Sequence, residues 1–249
     1  MIADPQGTVL VLFAIFCRIG ACIMTLPGFS SARISMNIRL LLAVAISISL
    51  TPLLFDTVYP RISGTGASMI AVIVAEVLIG MMYGLVPRFF VLGLQFAGTS
   101  MSMAIGLSSP GSGDVLEDTS ETALTNMISF AGLLILFMLD FHHVVFRALA
   151  ESYSVMPIGD LPDTQKMLIT LTDTLSATFI LMLRLASPFL IFGLMFNVGV
   201  GLVNKLAPQI PIFYISTPYL LMGGLVLLYF SISAMVMQFA RYFPMIFDF

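Results

Sequence analysis

The sequence contains no tryptophan, only two cysteines and two histidines, and carries charge on 9% of its 249 residues. With 59% of its residues hydrophobic, so few charges cannot cover a globule with a solvated surface, and the natural surroundings are lipid or other apolar protein. Lysine is scarce too: two Lys stand beside eight Arg, and the formal net charge is -3. No basic patch able to neutralise a run of phosphates follows from this, which excludes nucleic acid as a partner. Cys17 and Cys22 lie five residues apart in one apolar stretch, where a helix points them in different directions. Two free buried thiols are expected, not a disulfide. The sequence also lacks a nucleotide-binding P-loop, a zinc-protease pair and any cysteine-metal spacing. No catalytic residue, metal site or cofactor is therefore expected. His142 and His143 sit beside Asp140, but neighbours on a helix point about 100° apart and should not face one ion.

What the sequence does have is apolar length. Windows run over residues 8–26, 40–55, 67–86, 89–107, 123–139, 168–203 and 218–240, against a need of about 20 residues for one membrane span. The start of the chain, Met1-Ile-Ala-Asp-Pro, lacks a positively charged leader region, so the first window is expected to stay as a helix. The set is uneven. Residues 40–55 are short, residues 168–203 are too long for one span and contain Pro188, and Val86-Pro87-Arg88 divides a long apolar run. Proline breaks or kinks helices, so an all-α chain of membrane hairpins with bent and broken helices is expected. No long linker separates two halves, and one compact domain over residues 1–249 is the expectation.

Arg18, Glu76, Asp140 and Arg184 lie within or at the edge of these windows. Each would cost about 2.5 to 3.5 kcal/mol at the bilayer centre. They are expected to be buried against partners, either neutralising one another or forming an ion relay, with the structural reading favoured. Arg33, Arg39, Arg61, Arg88, Arg147, Lys166, Lys205 and Arg241 are scattered over almost every connection, so loop charge does not orient the chain. Short helices, central charges and weak loop bias together suggest helices packed against other subunits.

Glu76, Gly80 and Gly84 recur every fourth residue and stack a carboxylate and two glycines on one helical stripe. Such a stripe admits another backbone closely, from this chain or another. Gly193, Gly199 and Gly201 form a second small-residue stretch, followed by Lys205 and the turn Pro208-Gln209-Ile210-Pro211. Residues 106–122 are the polar outlier, with four of the thirteen acids. They read as a surface loop or as a mobile segment in a pore, since Gly and Ser give mobility at little steric cost. Phe96, Met101 and Met103 lead into it. Eighteen Met and 21 Phe supply pliable groups able to seal around variable cargo, although most are packing residues.

Taken in order, these motifs resemble the R component of the type III export gate, the FliR, SpaR and YscT family of bacterial flagella and injectisomes. Arg18 before Leu26-Pro27-Gly28-Phe29, with Ile38-Arg39, is similar to its N-terminal pattern, although Ser35 stands where proline is common. Glu76, Gly80 and Gly84 resemble its central helix. His142-His143, Ser152, Pro157 and Gly159 resemble a further segment, with Phe141 in place of a glycine. Asn197, Gly201, Pro208 and Gln209 resemble its C-terminal signature, with Lys205 where Arg is frequent.

The resemblance implies one copy per gate in a helical assembly with several P and Q subunits, near the B and A export components. It implies a P-like part over about residues 1–165 and a Q-like hairpin over about 166–249. It also implies a channel plug at Gly106, Leu107, Ser108, Ser109, Pro110, Gly111, Ser112 and Gly113, and passage of unfolded substrates through the inner membrane at the flagellar basal body. Rival readings are an injectisome gate subunit, an ion-coupled transporter using Glu76, Asp140 and Arg184 at broken helices, and a membrane enzyme.

Overall fold

The computed structural model describes residues 5–31, 34–64, 69–107, 122–158 and 163–245. It contains α1 (Pro5–Thr25), α2 (Met36–Gly64), α3 (Met69–Ala104), α4 (Ala123–Met138), α5 (Phe141–Val155), α6 (Thr164–Leu206) and α7 (Ile212–Met245), with no strand among the described residues. Five of these helices are long and apolar enough to cross a membrane. α4 and α5 form a further candidate span bent by 61°.

Two expected breaks are absent. α3 runs through Pro87 and α6 through Pro188 as continuous helices. Proline removes one backbone hydrogen bond and crowds the preceding turn, but a long apolar helix tolerates this where packing supports it and its remaining backbone bonds are internal. The short window at 40–55 likewise extends into the 29 residues of α2 despite Pro52 and Pro60. The real break is at Asp140, with the left-handed dihedrals φ 54 and ψ 34 ahead of α5. Aspartate enters this region more readily than most residues because its short polar side chain bonds locally.

Contacts cluster into two units. Unit 1 holds residues 1–89 and 137–175, and its α1 packs on α2. On α1 the buried positions Val11, Ile15, Arg18, Ile19 and Cys22 recur at spacings of three and four, the signature of one face turned inward. α5 does the same with Phe141, Val145, Leu149 and Ser152. Unit 2 holds residues 90–136 and 176–248. Its buried side chains include Phe90, Leu94, Ala97 and Met101 of α3 and Ile105 just past its end, with Leu181, Met182, Leu185 and Phe189 of α6. α7 stands apart, for in its most apolar stretch only 6% of the residues are buried.

Candidate functional site

Two buried charges of unit 1 meet at one place. Arg18, on the inward face of α1, is fully buried, and Glu76 of α3 is 1% exposed. Arg18 Nε donates to Glu76 Oε2 at 2.7 Å and Nη2 donates to Oε1 at 2.9 Å, a bidentate pair. Nη2 also donates to the Met156 carbonyl at 3.0 Å, and Nη1 to Ser152 Oγ at 2.8 Å. The guanidinium lies 3.9 Å from the centre of the Tyr153 ring. Planar guanidinium suits such a site, because its fork matches a carboxylate while its face stacks on an aromatic ring. One side chain thus ties α1 to α3 and to the C-terminal end of α5.

Two glycines permit the approach. A Cβ on Gly80 would meet the carbonyl of Arg18, and one on Gly84 would meet Thr25 Oγ1 and, at 2.6 Å, the Cys22 carbonyl. The Glu76-Gly80-Gly84 stripe therefore receives the backbone of α1, which decides between the intramolecular and inter-subunit readings in favour of the former. Arg18 and Glu76 neutralise each other within this chain, as the structural reading of these charges expects.

Asp140 and Arg184 depart from the expected burial. Both are exposed, because Asp140 sits at the break before α5 and Arg184 on the outer side of α6, where it donates to Tyr242 Oη at 3.2 Å. An ion-coupled site needs its carboxylates together, yet Glu76 is enclosed with Arg18 while Asp140 lies at the surface. Asp140, His142 and His143 do converge, with one ligand atom from each within 4.8 Å of the others. The imidazoles were expected to diverge; instead their rings are tilted by 40° with centroids 4.2 Å apart, just after the left-handed residue Asp140. Exposed acidic groups of this kind are common without an ion.

In unit 2, Gly106 has φ 77. Leu107 N–H donates to the Ser102 carbonyl at 2.9 Å and Gly106 N–H to the Met103 carbonyl at 3.2 Å. This pair of bonds is a Schellman motif, which needs a left-handed residue at the position glycine occupies. Gly106 thus ends α3, and Leu107 is the first residue past the cap. Ser108, Ser109, Pro110, Gly111, Ser112 and Gly113 lie outside the described residues. On the near side of α4, Ser102 Oγ meets Thr122 Oγ1 at 2.7 Å, and Thr122 Oγ1 meets Thr125 Oγ1 at 2.8 Å. These hydroxyls join the end of α3 to the start of α4, a contact without any apolar periodicity to betray it in sequence.

The three residues leading into this region do not share a face. Met101 is fully buried, Met103 is 68% exposed, and Phe96 is 45% exposed with its ring 5.5 Å from that of Phe179. Met101 is therefore a packing residue in this conformation. Asn197 Nδ2 donates to the Gly193 carbonyl at 2.8 Å. Gly201, Lys205, Pro208 and Gln209 are exposed near the turn between α6 and α7.

The match to known proteins spans this whole architecture. The profile of Bacterial export proteins, family 1, covers residues 9–245. The chain belongs to this family. Among its relatives, the flagellar biosynthetic protein FliR of Caulobacter vibrioides is 34% identical over 92% of this chain and 91% of its own length. The FliR of Escherichia coli is 28% identical over 85% and 80% respectively, and that of Bacillus subtilis 20% over 82% and 79%. The export family match includes α1, α3 and α5, so the Arg18 cluster lies inside the family's span.

Proposed function

We propose that this chain is a non-enzymatic subunit of the flagellar type III protein export gate in the bacterial inner membrane. The observation that carries the reading is the family match over residues 9–245 together with full-length relatives named flagellar biosynthetic protein FliR. Five apolar helices and a bent pair support a membrane setting. The gate is a hetero-oligomer with P and Q subunits, beside the B and A components, and passes unfolded flagellar proteins. Within it, the first part of this chain, about residues 1–165, acts as a P-like segment and the remainder as a Q-like hairpin.

Residues 106–113 plug the channel. The reading draws support from the Gly106 cap and the Ser102, Thr122 and Thr125 hydroxyls, which anchor both flanks of the segment. A small, polar, glycine-rich stretch is displaced by an incoming polypeptide at low steric cost. The test is deletion of residues 108–113 with ion leakage measured across cells or planar bilayers. Leakage should rise while copurification with the P and Q subunits persists; unchanged conductance with an intact complex rejects the plug, and failure to copurify in the parent protein rejects the gate.

A further inference from the structure

The export reading leaves Asp140, His142 and His143 without a task. One ligand atom from each lies within 4.8 Å of the others, and Asp140 and His143 are exposed while His142 is half-buried. The donors set this cluster apart from an ordinary acidic patch. It holds two imidazoles and a single carboxylate.

The carboxylate is not engaged elsewhere. Asp140 stands at the N-cap of α5, where aspartate ordinarily accepts a hydrogen bond from a backbone N–H of the first turn, yet its side chain makes no capping bond. Its Oδ1 lies 3.5 Å from His143 Nδ1 instead, at the outer limit of a hydrogen bond. Asp140 precedes the helix and has left-handed dihedrals, so helical spacing does not govern where its carboxylate stands.

His142 supplies the second observation. Its Nδ1 is buried with no hydrogen-bond partner among the described residues, although buried polar atoms of this kind almost always have one. The ring is also held from the apolar side, with its centroid 5.7 Å from that of Phe137 and 6.0 Å from that of the fully buried Phe141. His143 closes on it at 4.2 Å between centroids. An apolar backing of this sort orients a ligating imidazole and shields the site.

The donor set selects the ion. Calcium and magnesium take oxygen ligands, whereas imidazole suits zinc and the neighbouring late divalent metals. Two imidazoles and a carboxylate, with water in the fourth position, are a recognised zinc set. Ligands of a tetrahedral zinc ion stand about 3.3 Å apart, given bonds of about 2.0 Å. Binding therefore draws the three groups closer, which rotation of the exposed Asp140 and His143 side chains allows.

We propose that Asp140, His142 and His143 bind one divalent cation of the zinc class, with water completing its shell. The bound ion ties the residue ahead of α5 to the helix's first turn. This site is independent of the channel reading.

The experiment uses the full-length chain with the subunits that copurify with it, purified on a tag free of histidine and stripped with a chelator. The complex is dialysed against micromolar zinc with millimolar magnesium present, and bound zinc is measured by elemental mass spectrometry. The expected result is one zinc per copy of this chain that both Asp140→Gly and His143→Gln release, each weakening binding by more than about tenfold, since even an outer partner of a metal ligand is worth that much. Cobalt in place of zinc should give visible absorption bands that the same variants lose. No zinc bound at micromolar concentration overturns the proposal, as does displacement by magnesium or zinc retained equally by the parent and the variants. Should His143→Gln fail to assemble with the other subunits, Asp140→Gly, which relieves the left-handed backbone, decides the matter.

Discussion

Arg18 and Glu76, 58 residues apart in sequence, close on each other through two hydrogen bonds in a site almost free of solvent. Two buried charges each carry a desolvation cost of several kcal/mol, offset only while both remain. Arg18→Leu or Glu76→Gln alone should therefore destabilise the protein by about 3 to 5 kcal/mol, since each leaves a buried charge unpaired. The double variant should lose less than the sum of the singles, because close pairs are coupled. Thermal unfolding in detergent of all four proteins checks this, and additive losses refute the pairing. Arg18→Lys should also fail to restore stability, since an ammonium cannot reach Glu76, Ser152 and the Met156 carbonyl in one planar geometry.

Tyr153 makes a different contribution to the same cluster. Its ring faces Arg18 at 3.9 Å, while its buried hydroxyl has no hydrogen-bond partner among the described residues. Tyr153→Phe keeps the ring and removes an unsatisfied polar group, so stability should hold or rise by up to about 1 to 3 kcal/mol. Tyr153→Leu removes the cation–π contact and should lose about 2 kcal/mol. A marked loss in the phenylalanine variant would show that the hydroxyl has a partner after all.

The sequence announced the helices of this protein more clearly than their partners. Apolar length located α1, α3, α6 and α7, because lipid or protein burial demands it over about 20 residues. α5 was missed as a window because it is amphipathic: His143, Arg147 and Glu151 occupy the face opposite Phe141, Val145 and Leu149, with His142 half-buried at the edge, and the average hides the stripe. Proline misled at Pro87 and Pro188, where local geometry disfavours a helix but packing and internal hydrogen bonds sustain one. For the site, Arg18, Glu76, Gly80 and Gly84 were visible as residues of interest, yet which backbone meets the glycines is a tertiary fact that no spacing encodes. Ser152 carried no signal beyond its place in a family pattern, and Tyr153 carried none.

Asp140 is the described non-glycine residue with positive φ, at 54°, and it sets the bend of 61° between α4 and α5. Asp140→Gly relieves a left-handed conformation and should leave stability within about 1 kcal/mol of the parent. Asp140→Val places a β-branched side chain there and should cost about 1 to 3 kcal/mol. Equal melting temperatures for the two variants would mean that the bend does not depend on this conformation.

Four of the five glycines singled out from spacing divide into two physical classes. Gly80 and Gly84 lie against the backbone of α1, and a Cβ at either position collides with it. Backbone cannot move aside as a flexible side chain can, so Gly80→Ala and Gly84→Ala should each separate α1 from α3 and cost about 1 to 3 kcal/mol, as overpacked cores do. The loss should appear in the isolated chain as readily as in a complex. Among the described residues, nothing lies within 4 Å of where a Cβ on Gly199 or Gly201 would sit. Alanine there should stabilise α6 by up to about 1 kcal/mol through its higher helix propensity, so the isolated chain should tolerate both changes. If Gly199→Ala or Gly201→Ala nevertheless abolishes copurification with other subunits, the space beside those glycines is filled by a neighbouring chain; if assembly and swimming motility are unaffected, that face admits no close backbone, and the C-terminal glycines serve no inter-subunit contact.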